Sequence, residues 1–372
     1  MQTDRSEAMQ KFLRETGWDA AKRAPLPGDA STRHYIRLDL DGRKALLMDQ
    51  PQDAEAPACP PDASAEQRRA LGYNAVARLA GADCARFIAA AEFLRGRGLS
   101  APQIYAADTA KGFVLIEDFG DTLYSDVLSR GLAEEALYGS AIDALAKLHT
   151  QNAPDILPPD KPLHGYDETA LLAEVDLMTD WFVPVALGRD ARDEEVFEHR
   201  ALWREILRPT LASPPVFVHR DYHAQNLLWL ADRDGAARVG VIDFQDAVAG
   251  TKSYDLISLL EDARRDVTPA LAEAMTQRYL AAMQAHGTPL HEESYRAEMA
   301  VMAAQRNAKI AGIFARLYKR DARPRYLGYL PRVWDYLNRD LEHPALAPLK
   351  AWYDKTVPRE RRGTPKLEGV TI

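Results

Sequence analysis

Apolar residues at helical spacing trade places along the chain with short β-prone runs. Met9, Phe12 and Leu13 share one side of a segment predicted as helix over residues 6–17. Residues 34–40 and 43–49 read as two strands joined by Asp41 and Gly42. Both linking residues accept the positive φ of a type I′ turn, so the run predicts a hairpin. Residues 51–65 are rich in Pro, Asp and Ala and predict a mobile loop. Helical pattern resumes over 66–79 and again over 84–95. There Phe87, Ile88, Ala91 and Leu94 keep the spacing, and Gly96 and Gly98 act as stops. Residues 113–116, Phe-Val-Leu-Ile, read as a strand that runs into the polar, Gly-containing segment 117–121.

Beyond that segment the pattern is mostly helical, over 123–130, 134–149, 169–187, 193–212, 254–264, 269–286, 292–318 and 331–340. One β island interrupts it. Residues 216–218 form a strand, and 226–230 and 238–242 bracket a second hairpin signal at 232–235, Asp-Arg-Asp-Gly. The charged tail after Trp352 is expected to fray. The layout is α+β. It predicts a small N-terminal antiparallel-sheet lobe over 1–117, a hinge at 118–121, a large, mostly helical lobe over 122–355 and a tail over 356–372.

Composition narrows the function classes. The 372 residues carry 47 Lys plus Arg against 55 Asp plus Glu, a formal charge of -8. That disfavours a broad basic surface for nucleic acid. Two cysteines, Cys59 and Cys84, are too few for a disulfide framework or a four-thiolate zinc site. No apolar run reaches the ~18 residues of a membrane span, and residues 1–14 have no apolar leader core. The expected location is the reducing cytoplasm, with no membrane, nucleic acid or obligatory protein partner.

The β island carries the candidate chemistry. Residues 219–226, His-Arg-Asp-Tyr-His-Ala-Gln-Asn, match the H-R-D-x-x-x-x-N catalytic-loop pattern of kinases. One hairpin later, Asp243 ends the apolar run Val241-Ile242. Phosphoryl transfer needs a carboxylate to take the proton of the acceptor hydroxyl, and Asp221 suits that. It also needs oxygen ligands for Mg²⁺, and Asp243 and the Asn226 amide suit that. The hairpin brings those two back to about one strand spacing, ~5 Å. ATP and Mg²⁺ are the cofactors this chemistry implies.

The run 219–226, then 241–247 (Val-Ile-Asp-Phe-Gln-Asp-Ala), 253–257 (Ser-Tyr-Asp-Leu-Ile) and 145–149 (Leu-Ala-Lys-Leu-His) resembles the aminoglycoside phosphotransferase and choline kinase superfamily. The resemblance implies a bilobal, protein-kinase-like fold and a small-molecule acceptor. Residues 28–37, 47–51, 243–248, 312–316 and 320–327 bring it closer to one branch, the bacterial anomeric N-acetylmuramate and N-acetylglucosamine kinases of cell-wall recycling. An amino sugar and ATP are then the implied partners. A kinase for an aminoglycoside or choline-like alcohol, and a nucleotide-binding pseudokinase, remain as alternatives.

The chain departs from the kinase pattern where a strand lysine should pair the phosphates, because Met48 occupies that position. Arg33 and Arg37 are the candidate replacements. Gly28, Ser31 and Thr32 could offer N–H and hydroxyl groups to phosphate, and Glu117 to Phe119 could face adenine. Asp246 is a candidate beside the metal or for substrate. Asp255 reads as a helix cap, and His219 as a brace for the catalytic loop. Arg306, Lys309, Arg316 and Arg320 form a cationic stripe that would suit a substrate carboxylate or phosphates. The other reading of that stripe is a solvated helix face.

Overall fold

The Asp41-Gly42 turn starts the sheet. A computed structural model describes residues 2–27, 32–51, 56–131 and 134–365. They fall into two compact units, one within Met1–Leu148, Pro154–His164 and Ala224–Ala247, the other within His149–Ala153, Gly165–His223 and Val248–Ile372. The first unit therefore continues past the expected hinge at 118–121 and takes in the second hairpin.

In the first unit, strands β1 (Lys22–Pro25), β2 (His34–Leu40), β3 (Arg43–Asp49), β4 (Ile104–Asp108) and β5 (Phe113–Ile116) form an antiparallel sheet in the order β1-β2-β3-β5-β4. Asp41 and Gly42 have φ of 51° and 87°, as the type I′ turn requires. The helix Gln2–Glu15 lays Phe12 and Leu13 against Leu38, Ala45, Leu47, Phe113 and Leu115. Burying each large side chain contributes ~1.5–3 kcal/mol. Strands β1 and β4 escape sequence reading for physical reasons. Strand β1 is exposed throughout and carries Pro25 at a sheet edge. Strand β4 is Ala-rich and bulged between Ile104 and Ala106. The second hairpin forms as Leu227–Trp229 against Val239–Val241, with a 3₁₀ turn at Gly235–Arg238.

Two expected helices are divided. Over 66–79, the helix Ala65–Leu71 ends at Gly72, whose φ is 98°, and a π turn follows at Asn74–Arg78. In the second unit the expected helix 169–187 is Glu168–Leu177, a π turn at Met178–Phe182, and Val183–Leu187. Pro184 has no N–H to donate, and the Val183 N–H bonds back to the Met178 carbonyl, five residues earlier. The long helix Glu292–Asp321 passes this point closely. A Cβ built on Gly312 would sit 2.5 Å from the backbone of Leu177. Gly312→Ala should therefore destabilise the fold by ~1–3 kcal/mol through overpacking, despite the better helix propensity of Ala. An unchanged denaturation midpoint would contradict this packing.

The other helices of the second unit are Asp193–Thr210, Ser253–Leu260, Pro269–Ala285, Leu330–Asp340 and Ala347–Thr356. Strand Val216–Val218 pairs with Val248–Gly250, a partner absent from the sequence reading. The expected frayed tail is docked as far as it is described. Trp352, Tyr353 and Val357 are buried, and Arg362 donates to Asn338 and Asp354 at 2.6 and 2.7 Å. Residues 366–372 lie outside the described residues, as do 52–55 of the expected mobile loop.

Candidate active site

In the first unit, the second hairpin positions the metal-site candidates Asn226 and Asp243. Its register pairs Leu227 with Val241, and the Ile242 N–H donates to the Asn226 carbonyl at 3.1 Å. The ladder thus places Asn226 beside the residue that precedes Asp243. Asp243 takes a positive φ of 64°, which a short carboxylate side chain tolerates better than most. Its Oδ1 accepts from the Arg33 guanidinium at 2.7 Å and from the Gln245 amide at 3.0 Å. Arg33 also donates to the Gln245 side-chain amide oxygen, so Gln245 bridges the ion pair. The side chain of Arg33 is only 6% exposed, whereas that of Asp243 is 40% exposed. Burial works against the Arg33 charge, but Tyr35, Asp243 and Asp246 outweigh it and raise its pKa.

Asp246 accepts from Arg78 at 2.7 Å, while its Oδ1 is buried without a hydrogen-bond partner among the described residues. Around this segment the oxygen donors are the carboxylates of Asp243 and Asp246 and the amides of Asn226 and Gln245, a hard set that fits Mg²⁺. Among the described residues no group of three His, Cys, Asp or Glu side chains is arranged for a metal. The fit therefore depends on the Asn226 amide together with Asp243.

The candidate base, Asp221, belongs to the second unit. Strand Val216–Val218 delivers His219, Arg220 and Asp221. Arg220 has a φ of 75°, uncommon for a long side chain, and the surroundings hold it there. Asp255 accepts from the N–H groups of His219 and Arg220 at 2.6 and 2.9 Å. Its expected role as a cap on its own helix is thus corrected, since both these donors lie on the catalytic loop. Burial pushes its carboxyl up to about 6, while His219 and the two N–H groups pull the other way. His219 Nδ1 accepts from the Asp221 N–H at 3.2 Å, which is the bracing role expected of it. The Arg220 side chain lies over the Tyr166 ring at 4.8 Å and pairs with Glu174 at 2.6 Å.

Burial alone would raise the pKa of Asp221. His223, Lys309, Arg220 and His219 outweigh it and hold the carboxyl below its usual value. His223 is itself pushed down by burial. A carboxylate kept ionised in a buried setting can act as a proton acceptor.

A sequence profile of the phosphotransferase enzyme family matches residues 22–289. The chain belongs to that family. This phosphotransferase is 44% identical over 368 residues to the N-acetylmuramate/N-acetylglucosamine kinase of Caulobacter vibrioides, covering 97% of this chain and 99% of the relative. It is 32% identical over 349 residues to the kinase of the same name from Pseudomonas putida, covering 92% and 91%. A choline kinase from Streptococcus pneumoniae shares the fold, with a TM-score of 0.55 at 12% identity over 92% of this chain and 98% of that one. The expected α+β, kinase-like architecture is therefore the one observed.

Other candidates of this phosphotransferase sit differently from expectation. Arg37 is committed to Asp118 and Asp121, at 2.7 and 2.8 Å, and clamps the 118–121 turn rather than standing open to phosphate. The Glu117 N–H is bonded to the Gln103 carbonyl at 2.8 Å, and its carboxylate pairs with Arg233, which lies over Phe119 at 5.0 Å. That backbone donor is thus occupied in extending the sheet. Gly28 and Ser31 lie outside the described residues, and Thr32 directly precedes Arg33. The cationic stripe is neither open nor solvated at its start. Arg306 is buried and bonded to Ser258 and the Glu261 carbonyl at 3.0 and 3.2 Å, while Arg316 lies 5.8 Å over Trp181. Lys309 pairs with Glu174 at 2.8 Å and is among the cations that lower the Asp221 pKa.

Sequence reading missed Gln245 and Glu174. Gln245 stood in a quoted motif without a role. Glu174 was an acid among Leu171, Leu172, Val175 and Leu177 in a helical run, and that apolar flank was the available signal.

Proposed function

We propose that this phosphotransferase moves the γ-phosphoryl group of ATP onto the anomeric hydroxyl of N-acetylmuramate or N-acetylglucosamine. The observation that carries the substrate is the 44% identity, over nearly the whole chain, to a kinase named for those two sugars. The ring oxygen makes the anomeric hydroxyl more acidic than an ordinary alcohol, which suits a carboxylate base. Asp221 takes the hydroxyl proton as the sugar oxygen bonds to phosphorus. The bond from phosphorus to the bridging oxygen breaks, and ADP leaves with that electron pair.

Asn226 and Asp243 would hold Mg²⁺, which when bound supplies positive charge to the phosphate oxygens. Met48 is fully buried and cannot supply a strand cation. Arg33, fixed to Asp243, is the residue we assign to that charge. No described helix is long and apolar enough to cross a membrane, and the free thiols of Cys59 and Cys84 suit a reducing cytoplasm, where ATP is available.

ADP release measured with N-acetylmuramate, N-acetylglucosamine, kanamycin and choline tests the substrate. Turnover of the amino sugars is expected; turnover of kanamycin or choline alone would overturn the reading. Asp243→Asn should remove the Mg²⁺-dependent part of nucleotide binding and leave the metal-free part nearly intact. Titration calorimetry with and without Mg²⁺ checks this, and an unchanged Mg²⁺ response would remove Asp243 from the metal site.

A further inference from the structure

Gln245 is buried and bonded at both ends of its amide. Arg33 has only donors to give, so it turns the amide with Oε1 towards the guanidinium. Nε2 is thereby left to face Asp243, and it donates to Oδ1 at 3.0 Å. Arg33 donates to the same oxygen at 2.7 Å. A carboxylate oxygen has about two lone pairs, so Oδ1 is fully engaged. No donor among the described residues reaches Oδ2, and the Asp243 side chain is 40% exposed. The two oxygens of this carboxylate are therefore unlike. The turn that carries the amide is held by the helix Cys84–Gly96. Phe87 stacks on Phe244 at 4.9 Å and 22°, and Arg86 donates to the carbonyls of Ala247 and Pro162 at 3.1 and 2.9 Å.

We propose that Gln245 is a positioning residue for metal choice: with Arg33 it engages Oδ1 of Asp243, so that this carboxylate offers one oxygen and favours Mg²⁺ over Ca²⁺. This rests on Asp243 being a metal ligand. Mg²⁺ demands near-octahedral order at ~2.0–2.1 Å, which a carboxylate giving one oxygen satisfies. Ca²⁺ takes ~6–8 oxygens at ~2.3–2.6 Å and accepts both oxygens of one carboxylate. Without the Gln245 amide, Oδ1 regains a lone pair and Arg33 alone holds the carboxylate. It can then turn and present both oxygens, which suits the larger ion.

Titration calorimetry of Mg²⁺ and of Ca²⁺ into the whole chain saturated with ADP tests this. In Gln245→Met, Mg²⁺ affinity should fall ~10–100-fold, the usual effect of losing a partner that orients a metal ligand. Ca²⁺ affinity should fall far less, so the ratio of the two affinities drops. Gln245→Glu keeps an acceptor for Arg33 and loses the donor to Asp243, so its ratio should drop as well. The added charge attracts both divalent ions, and the ratio still reports the lost donor. Should Gln245→Met bind no ADP even without metal, Gln245→Glu decides alone. A ratio unchanged from wild type overturns the proposal, whether both affinities hold or both fall together, the second being the mark of a mere brace for the turn. If Asp243→Asn keeps the Mg²⁺ affinity of wild type, the assignment of Asp243 to the metal fails first, and the proposal with it.

Discussion

Asp221→Asn should lower kcat by ~10²–10⁴-fold, the usual contribution of a positioned general base, and leave nucleotide affinity nearly unchanged. The amide has the size of the carboxylate but cannot accept a proton from the sugar hydroxyl. The loop that presents it is fixed independently of its side chain. Asp255 holds the His219 and Arg220 N–H groups, and His219 holds the Asp221 N–H. The substitution should therefore alter chemistry without moving the backbone. The residues assigned to nucleotide and metal, Arg33, Asn226 and Asp243, belong to the other compact unit, where Gln245 keeps Arg33 and Asp243 bridged. Steady-state kinetics with titration calorimetry separates the two effects. A kcat within a few-fold of wild type would show that the base lies elsewhere.

Glu174→Ala should have the largest effect on stability, a loss of ~3–5 kcal/mol, because it removes one partner from a buried ionic group. Glu174 is about 1% exposed and bonds to Arg220, Lys309, the Tyr166 hydroxyl and the Gln305 amide. Burial raises its pKa, but Lys309 and Arg220 outweigh that and hold it ionised below its usual value. Without it, Arg220 and Lys309 lose their shared buried carboxylate, and Tyr166 and Gln305 lose an acceptor. Arg220 would also lose the contact that helps hold its positive φ, so activity should fall with stability. Glu174→Gln keeps an acceptor oxygen for Tyr166 and should unfold at a denaturant concentration between those of wild type and Glu174→Ala. Equal midpoints for Glu174→Ala and wild type would show that this buried group does not brace the loop.

Most of the fold could be read from local chemistry. Asp41-Gly42 fixed the first hairpin because few residues accept two successive positive φ values, and 113–116 stood out as a fully apolar strand. The catalytic loop was legible because its residue types are spaced as phosphoryl transfer requires, and the second hairpin explained how Asn226 and Asp243 become neighbours.

What stayed hidden depends on distant partners. Arg37 looks the same in sequence whether it meets phosphate or Asp118, which is 81 residues away. Glu174 and Arg220 are 46 residues apart, and nothing local announces that their charges meet in the interior. The stripe of Arg306, Lys309 and Arg316 obeyed helical spacing, but spacing says which residues share a face and not what covers that face. Asp255 opens a helix, as a capping residue does, yet its acceptor oxygens serve a loop 35 residues earlier.

Phosphorus-31 NMR of the product formed from ATP and N-acetylglucosamine, by wild type and by Asp221→Asn, tests the central claim most directly. A phosphorus resonance coupled to the anomeric proton is expected from the wild type, growing at least ~10²-fold more slowly with the variant. Phosphate found on another hydroxyl, or an equal rate in both proteins, would contradict the assignment of Asp221 as the base at the anomeric oxygen.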